Sequence, residues 1–372
     1  MGKPLEIVIA YNLKRSAVSA DHGTAATDSA CSANPSDSAY STGFGIGAPG
    51  PGSGSSDCDI HSLDNDAEFD DPETIFAIKR ALESRGHRVG LHEANKFFPA
   101  SIAAVSPDIV FNIAEGRNGR GREAHVPAIL SYLGIPYTGS DETTICVAMD
   151  KPLAKRIVSS YGISTPDYAV IGSDGIHDNA ALPAFPVIVK PVAEGSGKGI
   201  SGISIIKDAF ELDNVAGSLI SRYNQDALVE EYIPGREFTV GLLGNGNGVR
   251  VFTPMEIIFR DKTQSIYSYE IKRDFRRHID YACPPDVGDE IIAEMQDAAL
   301  KIFRILQCRD FARIDFRMSP EGRLNFIEIN PIPGLAPGYS DYPMLAEFCG
   351  VSYDDLICSI LSNALTRYNI EQ

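Results

Sequence analysis

Two short motifs near the end of the chain carry side chains suited to metal-assisted phosphate chemistry. They are Arg313-Ile314-Asp315 and Glu328-Ile329-Asn330, each within an apolar stretch. Residues two apart in a strand point to the same face of a sheet. If the two strands are neighbours, Asp315, Glu328 and Asn330 share one face with Arg313 beside them. Such oxygen ligands suit Mg²⁺ bound together with substrate phosphates. The alternative is a polar strand face in solvent.

A glycine-rich segment, FPVIVKPVAEGSGKGI at 185–200, is the second candidate for phosphate binding. It is not the P-loop of nucleoside triphosphatases, because Val192 and Gly199 stand where that loop needs a glycine and a Ser or Thr. A strand that ends in Lys190 and leads into a glycine loop can still hold a triphosphate, with a lysine charge and backbone N–H groups. Without other information it is equally a tight turn between two strands.

Several further charged and aromatic groups are weak signals when each is taken alone. Glu230, Glu231 and Glu237 flank the Pro-Gly turn of a hairpin predicted in LVEEYIPGREF, where acidic residues are ordinary. Lys151 and Lys155 read as solvated helix residues, and Arg117, Arg120 and Arg122 lie among glycines. Tyr267, Tyr269 and Lys272 fall in a Tyr- and Arg-rich segment, where exposed aromatic residues indicate either a binding lid or an ordinary loop.

Bulk properties limit the function classes. The 372 residues predict two or three domains, and a formal net charge of -17 argues against a surface that coats nucleic acid. The sequence has neither the long apolar core of a signal peptide nor an apolar run of the ~20 residues that a membrane helix needs, so a cytoplasmic protein is expected. The 7 cysteines show no metal-ligand spacing and are expected to be reduced.

The order of apolar and polar segments predicts an α/β chain of three units. Residues 1–140 alternate strands and helices, which indicates a parallel, Rossmann-like sheet, interrupted at about 16–71 by a Ser-, Gly- and Pro-rich insertion. Residues 141–226 begin with a helix capped by Asp150, and their strands are predicted to form a small antiparallel sheet. Residues 227–372 open with two strands around a Pro-Gly turn and contain a long helix from about Val287 to Gln307.

Taken in order, these motifs resemble the ATP-grasp fold and, within it, the D-alanine–D-alanine ligase family. The most specific pieces are IPYTGSD, AMDKPLAKR, VIVKPVAEGS, LVEEYIPGREFTV, YSYEIK, ARIDF and EINPIPG. The resemblance runs from about residue 109 to the C-terminus. It implies an N-terminal Rossmann-like domain, two ATP-grasp subdomains and a reaction in which ATP activates one amino acid as an acyl phosphate before a second amine attacks it.

The resemblance also implies roles for individual residues. Lys151 and Lys190 would hold ATP phosphates together with the glycine loop at Glu194 and Gly195. Glu230 and the backbone at Glu231 would read adenine, and Glu237 would accept hydrogen bonds from ribose. Asp315, Glu328 and Asn330 would hold two Mg²⁺ ions, or Mn²⁺. Arg313 and the backbone near Gly334 would stabilise the oxyanion, while Tyr269 and Lys272 would form a lid positioned by Ser196.

The sequence departs from the family pattern around the amino-acid substrates. No Gly-Gly-x-Ser-x-Glu string follows the first strand, Glu115-Gly116 stands where the family has His-Gly, Arg273 follows the loop lysine in place of Tyr, and Ser340 is a shifted substitute in the last loop. These changes leave two alternatives open: a ligase for other amino acids outside cell-wall peptidoglycan synthesis, and an ATP-binding module without activity. The resemblance further suggests small-molecule substrates and a homodimer.

Overall fold

The protein is described here from a computed structural model that covers residues 3–14, 68–177, 181–195, 205–261, 271–272 and 274–371. The insertion predicted at about 16–71 lies outside the described residues except for its last four positions. Of these, Asp70 pairs with Leu13 in a parallel bridge, so the chain re-enters the fold beside the end of the first strand.

The N-terminal unit contains a three-stranded parallel sheet, as the alternating pattern predicts. The central strand is the first in the chain, and all its pairs run parallel. The strands are β1 (Glu6–Tyr11), β2 (Arg88–Glu93) and β3 (Ile109–Asn112), and the helices are α1 (Pro72–Glu83), α2 (Phe98–Val105) and α3 (His125–Leu133). Because the strands are parallel, the carboxyl ends of β1 and β3 meet at one edge of the sheet.

Two helices lead into the central unit. They are α4 (Glu142–Met149) and α5 (Lys151–Ser160). The carboxylate of Asp150 accepts a hydrogen bond from the Leu153 N–H at 3.0 Å, so the predicted N-cap is confirmed. Pro152 occupies the first turn, where its missing N–H costs nothing.

The central sheet is antiparallel, in the order β5-β4-β8-β6-β7. Its elements are β4 (Tyr168–Gly172), β5 (Gly175–Ile176), β6 (Val187–Pro191), β7 (Ile205–Ile206), α6 (Ala209–Tyr223) and β8 (Ala227–Glu231). Valines of β6 and β8 pack against leucines of α6 in a separate core.

The C-terminal sheet has the order β12-β11-β9-β13-β14, with β10 paired to β9. Its strands are β9 (Arg236–Leu243), β10 (Arg250–Val251), β11 (Met255–Phe259), β12 (Ile279–Ala282), β13 (Phe311–Met318) and β14 (Leu324–Asn330). Its helices are α7 (Phe275–His278), α8 (Asp289–Ile305), α9 (Asp341–Phe348) and α10 (Tyr353–Arg367). The long amphipathic helix is therefore confirmed as α8, whose apolar side packs against β9 and β13.

One prediction about connectivity was wrong. The strands on either side of the Pro-Gly turn at 234–235 do not form a hairpin, because β8 pairs with β4 and β6 whereas β9 pairs with β11 and β13. The turn is therefore a crossing between the two antiparallel sheets. Gly235 is required there: its φ is 127°, and a Cβ would lie 2.2 Å from the Met318 carbonyl oxygen.

The described residues belong to one compact unit. Its largest core joins β1 and β3 of the first sheet to β13 and α10 of the last, through residues such as Ile9, Phe111, Phe311 and Leu361. The predicted boundaries at 140 and 226 stay a prediction. Across the parts of the chain that the structure covers, no helix is both long and apolar enough to span a membrane.

Candidate active site

The two motifs of the last strands form one polar face, as their spacing predicts. Strands β13 and β14 pair so that Arg313 faces Asn330 and Asp315 faces Glu328. Asp315 accepts two hydrogen bonds from Arg313, at 3.0 and 2.9 Å, and one from the Asn330 amide at 3.2 Å. The hydroxyl of Thr239, on β9, donates a fourth at 2.7 Å. This carboxylate is therefore held in a fixed orientation by side chains of three strands, β9, β13 and β14.

Both predicted phosphate lysines reach this face from the central unit. The Lys151 ammonium, at the start of α5, lies 3.8 Å from the Glu328 carboxylate and donates to the Glu194 carbonyl at 2.5 Å. Lys190, at the end of β6, forms an ion pair with Glu230. Burial alone would raise the pKa of Glu328, but Lys151 and Lys190 lower it to about 2. Glu328 is therefore a carboxylate throughout the physiological pH range.

A buried ion-pair network holds Lys190 in place. Glu230, at the end of β8, accepts from Lys190 with one oxygen and lies 2.5 Å from the Lys155 ammonium with the other. Burial opposes the charge of Glu230, but the two lysines keep its pKa below the usual range. Lys155 is fully buried, so its interpretation as a solvated helix residue was wrong, and so was that of Lys151. Lys155 follows Lys151 by four residues, which places both on the same helix face. This spacing was the sequence signal that Lys155 also points toward the site.

A cavity of about 90 Å³ lies between the central and C-terminal sheets. It is lined by Glu231 and Ile233 at the sheet crossing and by Glu237 on β9. Within the described residues, the Ile233 N–H has no hydrogen-bond partner, so it is available to a ligand. The Arg317 guanidinium holds the Glu237 carboxylate at 3.2 Å.

A second cavity, of about 170 Å³, opens from the phosphate end of the first toward the N-terminal sheet. Gly334 and Ser340 of the last loop line it, and a Cβ on Gly334 would lie 2.8 Å from the Ser340 hydroxyl. The residues that line both cavities are Lys151, Glu194, Lys272, Arg313, Glu328 and Asp341. The two cavities therefore meet where the charged groups converge.

The start of the glycine loop is tied to the N-terminal unit. The Gly195 N–H donates to the Glu68 carboxylate at 2.8 Å, and the Arg122 guanidinium bridges Glu68, at 2.8 Å, and the Ala193 carbonyl, at 2.7 Å. Glu194 accepts a further hydrogen bond from the side-chain amide of Gln225. Glu68 and the role of Arg122 as its partner were missed from the sequence, because the contact joins segments more than 50 residues apart. The predicted lid and loop residues Ser196 and Tyr269 lie outside the described residues.

Carboxyl groups dominate the N-terminal end of the second cavity. Besides Glu68 they are Asp70, Asp71, Glu115 and Glu123. Burial raises the pKa of Asp70 to about 8 and that of Glu123 to about 7, and it raises the pKa of Glu115 well above its usual range. Of these, the sequence had singled out only Glu115.

The donor set of the polar face fits Mg²⁺ better than a transition metal. In the parts of the chain covered here, no three His, Cys, Asp or Glu side chains are arranged to hold a metal ion by themselves. Asp315, Glu328 and Asn330 supply two carboxylates and an amide, all oxygen donors on one face. Mg²⁺ is typically bound by one or two carboxylates and completes its coordination with substrate phosphates and water.

Comparison with known proteins agrees with this geometry. Residues 157–362 match the family model described as D-ala D-ala ligase C-terminus. The D-alanine–D-alanine ligase of Aquifex aeolicus is 37% identical over 290 residues, covering 78% of this chain and 94% of that protein. An uncharacterised protein of Sinorhizobium fredii, y4sG, is 34% identical over 302 residues, covering 78% of this chain and 87% of that protein.

Among solved structures, the D-alanine–D-alanine ligase of Bacillus anthracis complexed with ATP superposes with a TM-score of 0.64 at 22% identity, covering 80% of this chain and 94% of that one. At this identity the likeness speaks for the fold, which is the predicted ATP-grasp fold. The sequence identity to these relatives and the match to the family model indicate common descent over most of the chain. The protein belongs to the D-alanine–D-alanine ligase family.

Proposed function

We propose that the protein is an ATP- and Mg²⁺-dependent ligase that joins two amino acids through an acyl phosphate, in the manner of D-alanine–D-alanine ligases. One observation carries the proposal: two cavities meet at Lys151, Arg313 and Glu328. One cavity lies between two antiparallel sheets and suits a nucleotide. The other cavity extends away from it and suits the amino acid whose carboxylate accepts the phosphoryl group.

ATP occupies the cavity between the sheets in this proposal. The free N–H of Ile233 would provide the hydrogen-bond donor that an adenine ring nitrogen needs, and Glu237 would accept hydrogen bonds from ribose. The carboxylate of Glu230 is already engaged by Lys155 and Lys190. We therefore assign it mainly to fixing Lys190 beside the phosphates, with the backbone after it facing the base.

Asp315, Glu328 and Asn330 would hold the Mg²⁺ ions. Bound there with ATP, the ions would neutralise the negative charge of the phosphate oxygens. Lys151 and Lys190, which reach this face from the central unit, add two positive charges. Because phosphoryl transfer depends mainly on positioning and charge stabilisation, this set of groups is sufficient for the first step.

In the first step, a carboxylate oxygen of the first amino acid attacks the γ-phosphorus, and the bond to the β,γ-bridging oxygen breaks. An acyl phosphate and ADP result. In the second step, the free amine of the second amino acid attacks the acyl carbon. The amine loses its proton to the departing phosphate as the C–O bond to phosphate breaks, and a dipeptide and inorganic phosphate result. The Arg313 guanidinium, with the backbone near Gly334, stabilises the negative oxygen of the tetrahedral intermediate.

Lys272 contributes to closing the site. It lines both cavities, and its charge acts on Glu237 and Glu328. Together with Tyr269 and Ser196, it is proposed to cover the acyl phosphate and keep out water, which would hydrolyse it. The homodimer, the cytoplasmic location and a role in peptidoglycan synthesis are part of this proposal and follow from the family alone.

A ligase for other amino acids is the second candidate. The observation that favours it is Glu115, whose carboxyl group lines the second cavity at a position where the family resemblance places a histidine. An ATP-binding module without activity is disfavoured, because Arg313 and the complete oxygen-ligand set are present.

Phosphate release from ATP tests the proposal, with purified protein, Mg²⁺ and a panel of single and paired D- and L-amino acids and 2-hydroxy acids. Mass spectrometry identifies the products. We expect amino-acid-dependent release that is lost on chelation of the metal with EDTA and restored by excess Mg²⁺. Release with D-alanine alone, with a D-alanyl-D-alanine product, supports the first candidate, and release with another pair supports the second. Nucleotide binding without release for any pair would refute both.

A further inference from the structure

Two of the cysteines meet in the fold although they lie far apart in the chain. Cys283 directly follows β12, and Cys349 directly follows α9. Their sulfur atoms lie 3.6 and 3.9 Å from the same atom, the Thr253 carbonyl oxygen. The Cys283 thiol also donates a hydrogen bond to the Cys349 sulfur, and neither cysteine is in a disulfide. The two sulfurs are therefore direct neighbours.

The elements that carry the two cysteines are held together by further contacts. The Tyr281 hydroxyl, on β12, donates to the Asp341 carboxylate, at the start of α9, at 3.2 Å. The Arg250 guanidinium, on β10, donates to the Cys349 carbonyl oxygen at 2.9 Å. Both cysteines also pack against the largest core. The folded structure therefore keeps the two sulfurs in contact.

Both sulfurs lie close to the surface of the protein. Each of the two cysteines is partly exposed. Pro284, which follows Cys283, is exposed, and so are Phe348 and Gly350 on either side of Cys349. A small molecule therefore reaches the pair without unfolding of the protein.

Cys349 is the more reactive of the two. The hydrogen bond from Cys283 lowers the pKa of Cys349 to about 6, against the effect of burial, and hydrogen bonds from Thr253 and the charge of Arg250 add to this shift. The same hydrogen bond, together with burial, raises the pKa of Cys283. At neutral pH the pair is a thiolate beside a thiol, which is the arrangement of a reactive cysteine with a resolving cysteine.

The other cysteines that the structure describes differ from this pair. Burial raises the pKa of Cys146, Cys308 and Cys358. None of these three has a second thiol among the groups that act on it in the described parts of the chain. Reactivity is therefore expected at Cys349 before any of them.

We propose that Cys283 and Cys349 form a reversible disulfide when the protein meets a hydroperoxide. The Cys349 sulfur attacks one peroxide oxygen, so that an S–O bond forms, the O–O bond breaks and the leaving hydroxide takes a proton from water. The Cys283 sulfur then attacks the Cys349 sulfur. An S–S bond forms, the S–O bond breaks, and the Cys283 proton leaves with the hydroxyl group as water. With hydrogen peroxide, the two thiols are oxidised and the peroxide is reduced to two water molecules.

A dithiol reductant reverses the reaction by thiol–disulfide exchange. The reduced pair is thus the resting state in a reducing compartment, and the disulfide is transient. The bond would close a loop over residues 283–349, which contains β13, β14 and the last loop of the second cavity. Such a loop closure stabilises a folded protein mainly by restricting the unfolded chain. The inference concerns thiol chemistry and does not rest on the proposed ligase function.

The test uses the purified full-length protein, first reduced and then treated with a small excess of hydrogen peroxide. Remaining thiols are blocked with iodoacetamide, and the peptides are identified by mass spectrometry. Trypsin leaves Cys349 and Cys358 on one peptide, 324–367, so chymotrypsin, which cleaves after Tyr353, is used to separate them. We expect a linked peptide that joins Cys283 to Cys349, and its loss on addition of dithiothreitol. The oxidised protein should melt about 2 to 5 °C higher than the reduced one.

The reduced protein provides a second measurement that needs no variant. Iodoacetamide should alkylate Cys349 at pH 7 at least about 10-fold faster than the exposed Cys146, because only Cys349 is mainly a thiolate at this pH.

Serine substitutions separate the two roles. Cys349→Ser should abolish the linked peptide and the rise in melting temperature. In Cys283→Ser, peroxide should carry Cys349 past the sulfenic acid to the sulfinic acid, because the resolving thiol is absent. Cys358→Ser is the matched control and should form the same linkage as wild type. Melting temperatures of the reduced variants identify any that fail to fold.

Two results would overturn the inference. One is a wild-type protein in which peroxide converts Cys349 to the sulfinic acid while Cys283 remains a free thiol, or in which either cysteine is linked mainly to another partner. The other is alkylation of Cys349 that is no faster than that of Cys146. Neither result bears on phosphate release from ATP, so this inference and the proposed function fail separately.

Discussion

Replacing Lys155 by methionine should lower the free energy of unfolding by about 3 kcal/mol, because it leaves Glu230 buried with one of its two cations removed. The Lys155 ammonium is fully buried, 2.5 Å from Glu230, and also donates to the Thr165 hydroxyl at 2.9 Å. Methionine fills a similar volume, so the cost of a cavity is small.

The magnitude follows from what remains after the substitution. Removing one partner of a buried pair costs about 3 to 5 kcal/mol, since the other charge stays behind without water. Lys190 still pairs with Glu230, and Thr165 still donates to the Phe326 carbonyl at 3.1 Å. These remaining contacts place the expected cost at the lower end of the range.

Urea unfolding followed by circular dichroism measures the change. Lys207→Met, an exposed lysine whose side chain has no partner in the described residues, is the control and should change the stability by less than about 0.5 kcal/mol. In the double variant Lys155→Met/Glu230→Gln, the two effects should not add, with a coupling energy of about 1 to 3 kcal/mol. A loss below about 1 kcal/mol for Lys155→Met, or additive effects, would refute the reasoning that Lys155 compensates Glu230.

Three further changes have defined outcomes. Glu328→Gln should reduce kcat by at least about 100-fold in the phosphate-release assay, because it removes a carboxylate that is charged at all working pH values and that we assign to Mg²⁺. Gly116→Ala should lower the free energy of unfolding by at least about 2 kcal/mol in urea, since its Cβ would lie 2.1 Å from the Arg122 carbonyl oxygen and its φ is positive. The affinity for the amino acid whose carboxylate is activated should rise from pH 6 to pH 8, because Glu123 and Asp70 line the second cavity, have pKa values of about 7 and about 8, and become negatively charged over this range beside a ligand that carries an ammonium group.

Each of these has a control. If Glu328→Gln leaves kcat unchanged, Glu328 is not a metal ligand. The control is Glu321→Gln, on an exposed turn, which should have the kcat of wild type. For Gly116→Ala, the control is Gly119→Ala. Gly119 has a similar positive φ, 79° against 70°, but no atom lies near its Cβ, so the pair separates backbone strain from steric collision. Calorimetry at several pH values measures the affinity for this amino acid, and an affinity that is flat or falls between pH 6 and 8 would contradict the predicted effect of the two carboxyl groups.

Local motifs were sufficient for several predictions. The two-residue spacing in RID and EIN placed the polar side chains of β13 and β14 on one face, and the structure pairs the strands in that register. Asp150 and Pro152 marked the start of α5 because a helix start depends on a few adjacent residues. The parallel sheet of the first unit followed from its alternation of strands and helices.

Predictions failed where the answer depends on residues far apart in the chain. The Pro-Gly turn at 234–235 looks like a hairpin locally, yet its strands find partners in two different sheets. The two lysines of α5 look solvated, yet Lys155 is buried because Glu230, 75 positions later in the sequence, compensates its charge.

The sequence by itself determined which chemical groups are present and their order, and that order was enough to indicate an ATP-grasp ligase. Only the tertiary structure decided which charges compensate one another and which are left for a ligand. Lys190 is held by Glu230, and Arg122 by Glu68, whereas Glu115 faces the cavity without such a partner among the described residues. The reason is physical: the energy of a charge depends on its burial and on neighbours within a few ångström, and these neighbours come from three different parts of the chain.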